Sequence, residues 1–317
     1  TRFSSPASLL WTEFRGNGDF QYSHFENRAD FRNTIFNGSV NFWGSRFDKS
    51  VLFSEALFAR EAYFNEVHLL QEANFGLARF ERTALFEYAQ FGGYSDFRWV
   101  QFLGDAGFKK AHFMGPVDFR DSRFRSDADF RGCRFDVDFD IRGIEFSKML
   151  VEWNAIRDQL VCEGRVYLDL IRNFKSQERF EDANGCYYQY RQQRMEQRSW
   201  EDINKYLDIL GWLTCGFGVR PDYTIISIVS MIVVFGGLYW RMDIFRDISP
   251  SIQSIDHKGD RTRLIDALFF STVLFFTMPP PIICISQRSR YLILVEDILG
   301  WLLMTLFIVT LVNVMIS

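Results

Sequence analysis

Bulky apolar residues recur through the first half of the chain at spacings that alternate strictly between six and five: 3, 9, 14, 20, 25, 31, 36, 42, 47 and onward to 135, 141 and 146. Of these 27 positions 24 are Phe, the exceptions being Leu9, Leu69 and Ile141. With 35 Phe in 317 residues, chance would put about three there. Two residues before each of the 21 positions from Phe25 to Phe135 stands a small side chain (Ala, Ser, Thr, Val or Cys), as in Ala29-Asp30-Phe31, Ala73-Asn74-Phe75 and Ala128-Asp129-Phe130. An eleven-residue period fits neither the 3.6 of a helix nor the 2 of a conventional strand. A large and a small residue two apart point the same way along a short extended segment, and a turn must close each segment. Such a chain coils, with Phe filling a narrow axis and each coil satisfying the backbone of the next.

This pattern resembles the pentapeptide-repeat family, which implies a right-handed quadrilateral β-helix over residues 1–146. Every second repeat carries a sixth residue, so a bulged corner is expected on alternate faces. Four faces make a 22-residue coil, which gives about 6.5 coils and a rod about 30 Å long. Some family members mimic DNA with strongly acidic surfaces. Residues 1–146 instead hold 18 Lys/Arg and 21 Asp/Glu with the signs interspersed. The expected role is therefore a rigid scaffold or docking surface for a protein partner, with no nucleic acid.

After Phe146 the register stops. Residues 147–221 read as a helical linker, because the stretch from Val151 to Arg198 is rich in Leu, Arg, Glu and Gln and contains no Pro. Val166, Leu168, Leu170, Ile171 and Phe174 mark an apolar face, and Gly185 is expected in a turn between helices. The run Leu170 to Tyr188 resembles a tetratricopeptide-type helix pair, expected to cap the open end of the β-helix. The segment Cys215 to Pro221 reads as an interfacial elbow, with Trp212 and Phe217 at headgroup depth.

The last third is apolar. Tyr223 to Trp240 is 18 residues without a charge and Ile298 to Ser317 is another 20, each long enough to cross a bilayer. Between them Ala267 to Ser286 is also uncharged, but Pro279, Pro280 and Pro281 prevent a straight helix, so a re-entrant segment is expected. Asp266 to Thr277 has the style of a pore helix, and Tyr291 to Val312 that of an inner helix with Gly300 as hinge. Over residues 222–317 the chain resembles the two-transmembrane potassium channels. The resemblance implies a homotetramer, permeating ions as ligands and an address in the plasma or inner membrane. It also implies a multi-pass topology with the N-terminal β-helix and the C-terminus cytoplasmic.

The filter segment departs from that family. Thr277, Met278, Pro279, Pro280, Pro281 and Ile282 stand where T-V-G-Y-G-D is usual. Proline fixes φ and forbids the alternating carbonyl geometry that strips a potassium ion of water. Arg288 and Arg290 would set positive charge at the pore entrance, and Glu296 would brace the pore helix from behind. Seven basic residues lie between the two spanning runs (Arg241, Arg246, Lys258, Arg261, Arg263, Arg288 and Arg290), which by the positive-inside rule alone would place that loop inside. The reading follows the channel resemblance, because five scattered cysteines suit a reducing compartment for the soluble part.

No catalytic residues, metal site or cofactor are expected. His24, His68 and His112 each precede a core position and should face outward, and no CxxC pair occurs. The expected function is thus a homotetrameric channel without a potassium-selective filter, non-selective or anion-permeable, carrying a cytosolic β-helix. The alternative is a membrane-anchored scaffold with a degenerate, non-conducting pore fold.

Overall fold

A computed structural model describes residues 1–242, 260–276 and 287–316, side chains of 260–263, 287–290 and 316 excepted. It divides into two compact units, Thr1–Tyr190 and Arg191–Ser317.

The first unit is a β-solenoid of about seven turns followed by helices. Two-residue strands pair in parallel with those 22 positions further on, as Arg2 and Phe3 do with His24 and Phe25, and Leu57 and Phe58 with Arg79 and Phe80. Four faces result, and Arg123–Asp129 runs unbroken round one corner to join two of them. Inside, the Phe side chains form columns. Phe42, Phe64, Phe86, Phe108 and Phe130 stack at 4.8–5.1 Å between successive ring centres, nearly coplanar. Rings of adjacent faces meet edge to face, as Phe64 and Phe75 do at 5.4 Å and 90°. Both geometries suit the aromatic quadrupole. The small residues two positions earlier are buried between the columns, Ala29, Ala62 and Ala73 completely.

One residue in each eleven has a left-handed backbone. Every multiple of eleven from Trp11 to Gly143 has φ between +52° and +69°, the left-handed region. Only three of these thirteen residues are Gly (Gly44, Gly132 and Gly143). Between core positions these residues fall in the five-residue intervals, as Trp11 does between Leu9 and Phe14. Counted from strand to strand they lie in the longer connections, such as that from Ala7–Ser8 to Glu13–Phe14, and these are the bulged corners.

The ladder does not stop at Phe146. Glu145–Leu150 pairs with Arg123–Asp129, and Leu160–Val161 adds one more strand to another face. Helices α1 (Trp153–Ile156), α2 (Gly164–Ser176) and α3 (Phe180–Gln197) follow. Gly185 lies inside α3 and not in a turn. A Cβ there would come within 2.6 Å of the Trp153 indole, so the glycine serves close packing. The turn between helices is made instead by Glu178, at φ +58°. On α2 the buried face is Val166, Tyr167, Leu170, Ile171, Asn173 and Phe174, while Leu168 is exposed.

The helices close the open end of the ladder. The Asn173 side chain accepts from the Met149 amide at 3.0 Å and donates to its carbonyl at 2.7 Å. Gln177 donates to the same carbonyl at 3.0 Å, Arg179 to the Val151 carbonyl, and Asp182 accepts from the Trp153 amide at 3.0 Å. Side chains thus occupy the groups that a further coil would have paired.

In the second unit, α4 (Ile203–Cys215) is capped by Asp202, which accepts from the Asn204 amide, and ends at Gly216 in the left-handed region. Helix α5 (Pro221–Arg241) opens with Pro at its first position, where no amide donor is needed. Helices α6 (Asp260–Phe276) and α7 (Gln287–Ile316) follow among the described residues. Pro221–Arg241 and Tyr291–Met315 are long and apolar enough to cross a membrane.

Candidate functional site

Chemistry-bearing groups of the second unit converge where α5, α6 and α7 meet. The inward stripes follow helical spacing: Met231, Phe235 and Tyr239 on α5, Ala267, Ser271 and Leu274 on α6, Ile293, Glu296 and Gly300 on α7. At the centre the carboxylate of Glu296 is wholly buried and accepts from the hydroxyls of Tyr239 on one side and Ser271 on the other. The Ser271 hydroxyl also lies 3.2 Å from the Ile232 carbonyl oxygen. One carboxylate therefore links three helices. Buried acidic groups require such partners, since a bare one in an apolar medium is very costly.

Two glycines let α6 approach. A Cβ on Gly236 would meet Leu268 at 2.7 Å, and one on Gly300 would meet the Phe275 ring at 3.1 Å. Small residues at such crossings let helix backbones pack closely in membranes. Gly300 thus stands at a contact point with α6.

The positions expected from the sequence fall out as follows. Glu296 and Gly300 are brought together around α6. Thr277, Met278, Pro279, Pro280, Pro281 and Ile282 lie outside the described residues. Arg288 and Arg290 belong to the first turn of α7, and their side chains lie outside the described ones. Tyr239 and Ser271 were not singled out by sequence. The available signal was a hydroxyl-bearing side chain on each of α5 and α6 at the inward phase of the apolar stripes, a phase that Thr224 shares on α5.

On the other side of α7, Asp297 is partly exposed beside the exposed Trp301, Ile298 and Leu302, with Thr305 one turn further on. Among the described residues no other helix covers this face.

The solenoid carries a second kind of polar arrangement. In Asp30-x-Arg32, Asp96-x-Arg98, Asp118-x-Arg120, Asp129-x-Arg131 and Asp140-x-Arg142, each carboxylate accepts from the backbone amide and the guanidinium two residues on. Burial pushes the Asp118 carboxyl up, but the bonds from Arg120 outweigh it and hold it below the usual range. Tyr94, beside Asp96 and Asp118, is pushed up to about 12, chiefly by burial. His24 and His112 face outward as expected and pair with Asp48 and Asp136 at 2.7 and 2.8 Å. Burial raises the thiols of Cys133, Cys162 and Cys186, that of Cys162 to about 12, which makes them poor nucleophiles. Among the described residues no group of three His, Cys, Asp or Glu is placed to hold a metal.

Residues 1–46, 42–88, 64–112 and 108–150 match the family model for pentapeptide repeats (9 copies). No curated protein and no solved structure matches the chain. Residues 1–150 of this chain are therefore pentapeptide repeats, wound as a β-solenoid.

Proposed function

We propose that the chain is one subunit of a homotetrameric membrane pore of potassium-channel-like layout without a potassium-selective filter, with the solenoid as its cytosolic scaffold or regulatory domain. The observation that carries this reading is α6. Its apolar stretch, Leu264–Phe276, is about 20 Å long at 1.5 Å per residue, short of the roughly 30 Å hydrocarbon core. Yet it packs against both long helices and is tied to them through Glu296. A helix with an apolar stretch shorter than the hydrocarbon core, braced between two spans, is what a re-entrant pore helix requires. Asp297 adds support, since a carboxylate within a span seeks water or a bundle interior, and a ring of four copies supplies both.

In this reading Thr277 to Ile282 line the constriction, and Arg288 and Arg290 stand at its mouth. Without glycines to aim carbonyls inward the pore is non-selective or anion-permeable. The protein sits in the cell membrane with both termini in the cytosol. Light scattering in detergent followed by flux from liposomes tests this. A tetramer that passes ions is expected; a monomer in vesicles that stay tight under voltage and tension would sink it.

The exposed corner residues Trp11, Tyr22, Leu77, Tyr88 and Trp99 favour a second reading, a membrane-anchored scaffold whose solenoid holds a protein partner. A stable partner retained by tight, non-conducting protein would establish it.

A further inference from the structure

Helix α4 is built inside out. Ile203, Tyr206, Leu207, Leu210 and Leu213 recur at helical spacing on one face and are 54–74% exposed. On the opposite face Lys205 and Asp208 are buried. A helix in water places these groups the other way round. The buried charges are satisfied: Asp208 takes bonds of 2.7 Å from both Arg191 and Arg198, and Lys205 donates to the Arg198 carbonyl at 2.7 Å. Lys205 also sits 4.2 Å from the centre of the Trp200 ring. The inversion is therefore stably built.

We propose that α4 lies in the headgroup layer of the bilayer with Ile203, Leu207, Leu210 and Leu213 against the acyl chains. This rests on reading α5 as a span, and it adds the lipid surface as a partner of a second, non-spanning helix. The connection fixes the depth. Only Gly216 to Arg220 separate α4 from α5, and the Ser227 hydroxyl donates to the Leu213 carbonyl at 3.2 Å, pinning the end of α4 to the second turn of α5. An apolar face held at the first turns of a span is held at the interface. Trp200 and Tyr206, both exposed, flank the face with rings 6.4 Å apart, a composition suited to headgroup depth. A second protein copy fits less well. The face is about 15 Å long and one helix wide, far below the roughly 800 Å² per partner of a stable interface.

Nitroxide labels test this on the full chain reconstituted in vesicles of phosphatidylcholine and phosphatidylglycerol. Labels go on Leu207→Cys, Leu210→Cys, Glu201→Cys and, on α5, Val229→Cys, with Cys284→Ser as background because the four other cysteines are buried. All four labelled positions are exposed, so the variants should fold. Expected is oxygen accessibility several-fold above that of a nickel chelate at 207, 210 and 229, and the reverse at 201. Water exposure at 207 and 210 with lipid exposure at 229 overturns the proposal and leaves the span reading intact. Water exposure at 229 overturns the span reading and the proposal with it. Protection from both reagents at 207 and 210 means that protein covers the face and also overturns it.

Discussion

The side-chain amide of Asn173 pairs with both backbone groups of Met149, accepting from its N–H and donating to its C=O. A single residue of α2 thus imitates the peptide unit of a coil that is not there. Replacing it with Leu keeps the volume but leaves the Met149 amide buried and bare, which costs about 1–3 kcal/mol. Gln177 still serves the carbonyl, so the loss should be partial. Chemical denaturation of the full chain in detergent would show the shift, and light scattering should show growth in particle mass as the uncapped edge pairs with other copies.

Phe75→Ala removes a fully buried ring from the middle of a column, between Phe53 and Phe97. The expected cost is about 3–5 kcal/mol. Phe3→Ala, at the partly exposed first coil, should cost far less, because in a stacked array the loss is local to its neighbours. Equal effects at the two sites in parallel denaturation curves would contradict a column-by-column core.

Trp99 holds φ +61° at an exposed corner. Trp99→Gly should stabilise the solenoid by about 1 kcal/mol, by relieving the left-handed strain that a Cβ imposes. Trp99→Ala keeps the Cβ and should give no such gain. The difference between the two melting midpoints isolates the backbone from the indole.

Glu296→Leu strips the buried Tyr239 hydroxyl of its acceptor and leaves the Ser271 hydroxyl only the Ile232 carbonyl. A loss of about 1–3 kcal/mol for the orphaned Tyr239 group is expected, read as a lower melting temperature of detergent-solubilised protein. Glu296→Gln keeps one acceptor oxygen and the shape, and should fall between wild type and Leu. If all three melt together, the carboxylate does not hold the helices.

The Asp-x-Arg clasps make a pH prediction with a definite sign. Asp30, Asp118 and Asp129 have carboxyl groups held below their ordinary values, Asp30 foremost by the bonds from Arg32, and the other two by Arg bonds that overcome burial. Their contribution is complete above the unfolded carboxylate range near 4 and fades as pH falls through the lower folded values. Melting temperature should be flat from about pH 7 to 5 and fall below about pH 4. Asp118→Asn, which still accepts from the Arg120 amide, should flatten part of that fall.

The solenoid was legible because one period controls every layer of it. Phe at the core, a small residue two before it and an extra residue per eleven together fix strand, axis and corner. The cap was harder to read. Gly185 looked like a turn residue, but its reason is the Trp153 indole, a contact 32 positions away in sequence. The stretch after Phe146 reads as a helical linker, yet part of it up to Val161 extends the ladder, because unpaired strand edges outweigh local propensity. In the second unit the long apolar runs were plain from hydropathy, and Glu296 stood out as a charge within the stretch Tyr291 to Val312. Its partners did not, since Tyr and Ser in apolar helices acquire meaning only when the helices cross. The inversion of α4 was hidden for a related reason: its period shows an amphipathic helix, but not which side is turned in.

The left-handed corner at every eleventh residue also constrains how such a gene can change length. Two consecutive faces, one plain and one bulged, make the smallest parcel that can be duplicated or deleted while every later corner stays in phase. Removing a single five-residue face would turn everything downstream by a quarter revolution about the rod axis and exchange the two kinds of corner. Copy number is thus a ruler marked in half-turns of the coil. Insertions off those marks should be confined to corners, where they can bulge outward without shifting the count.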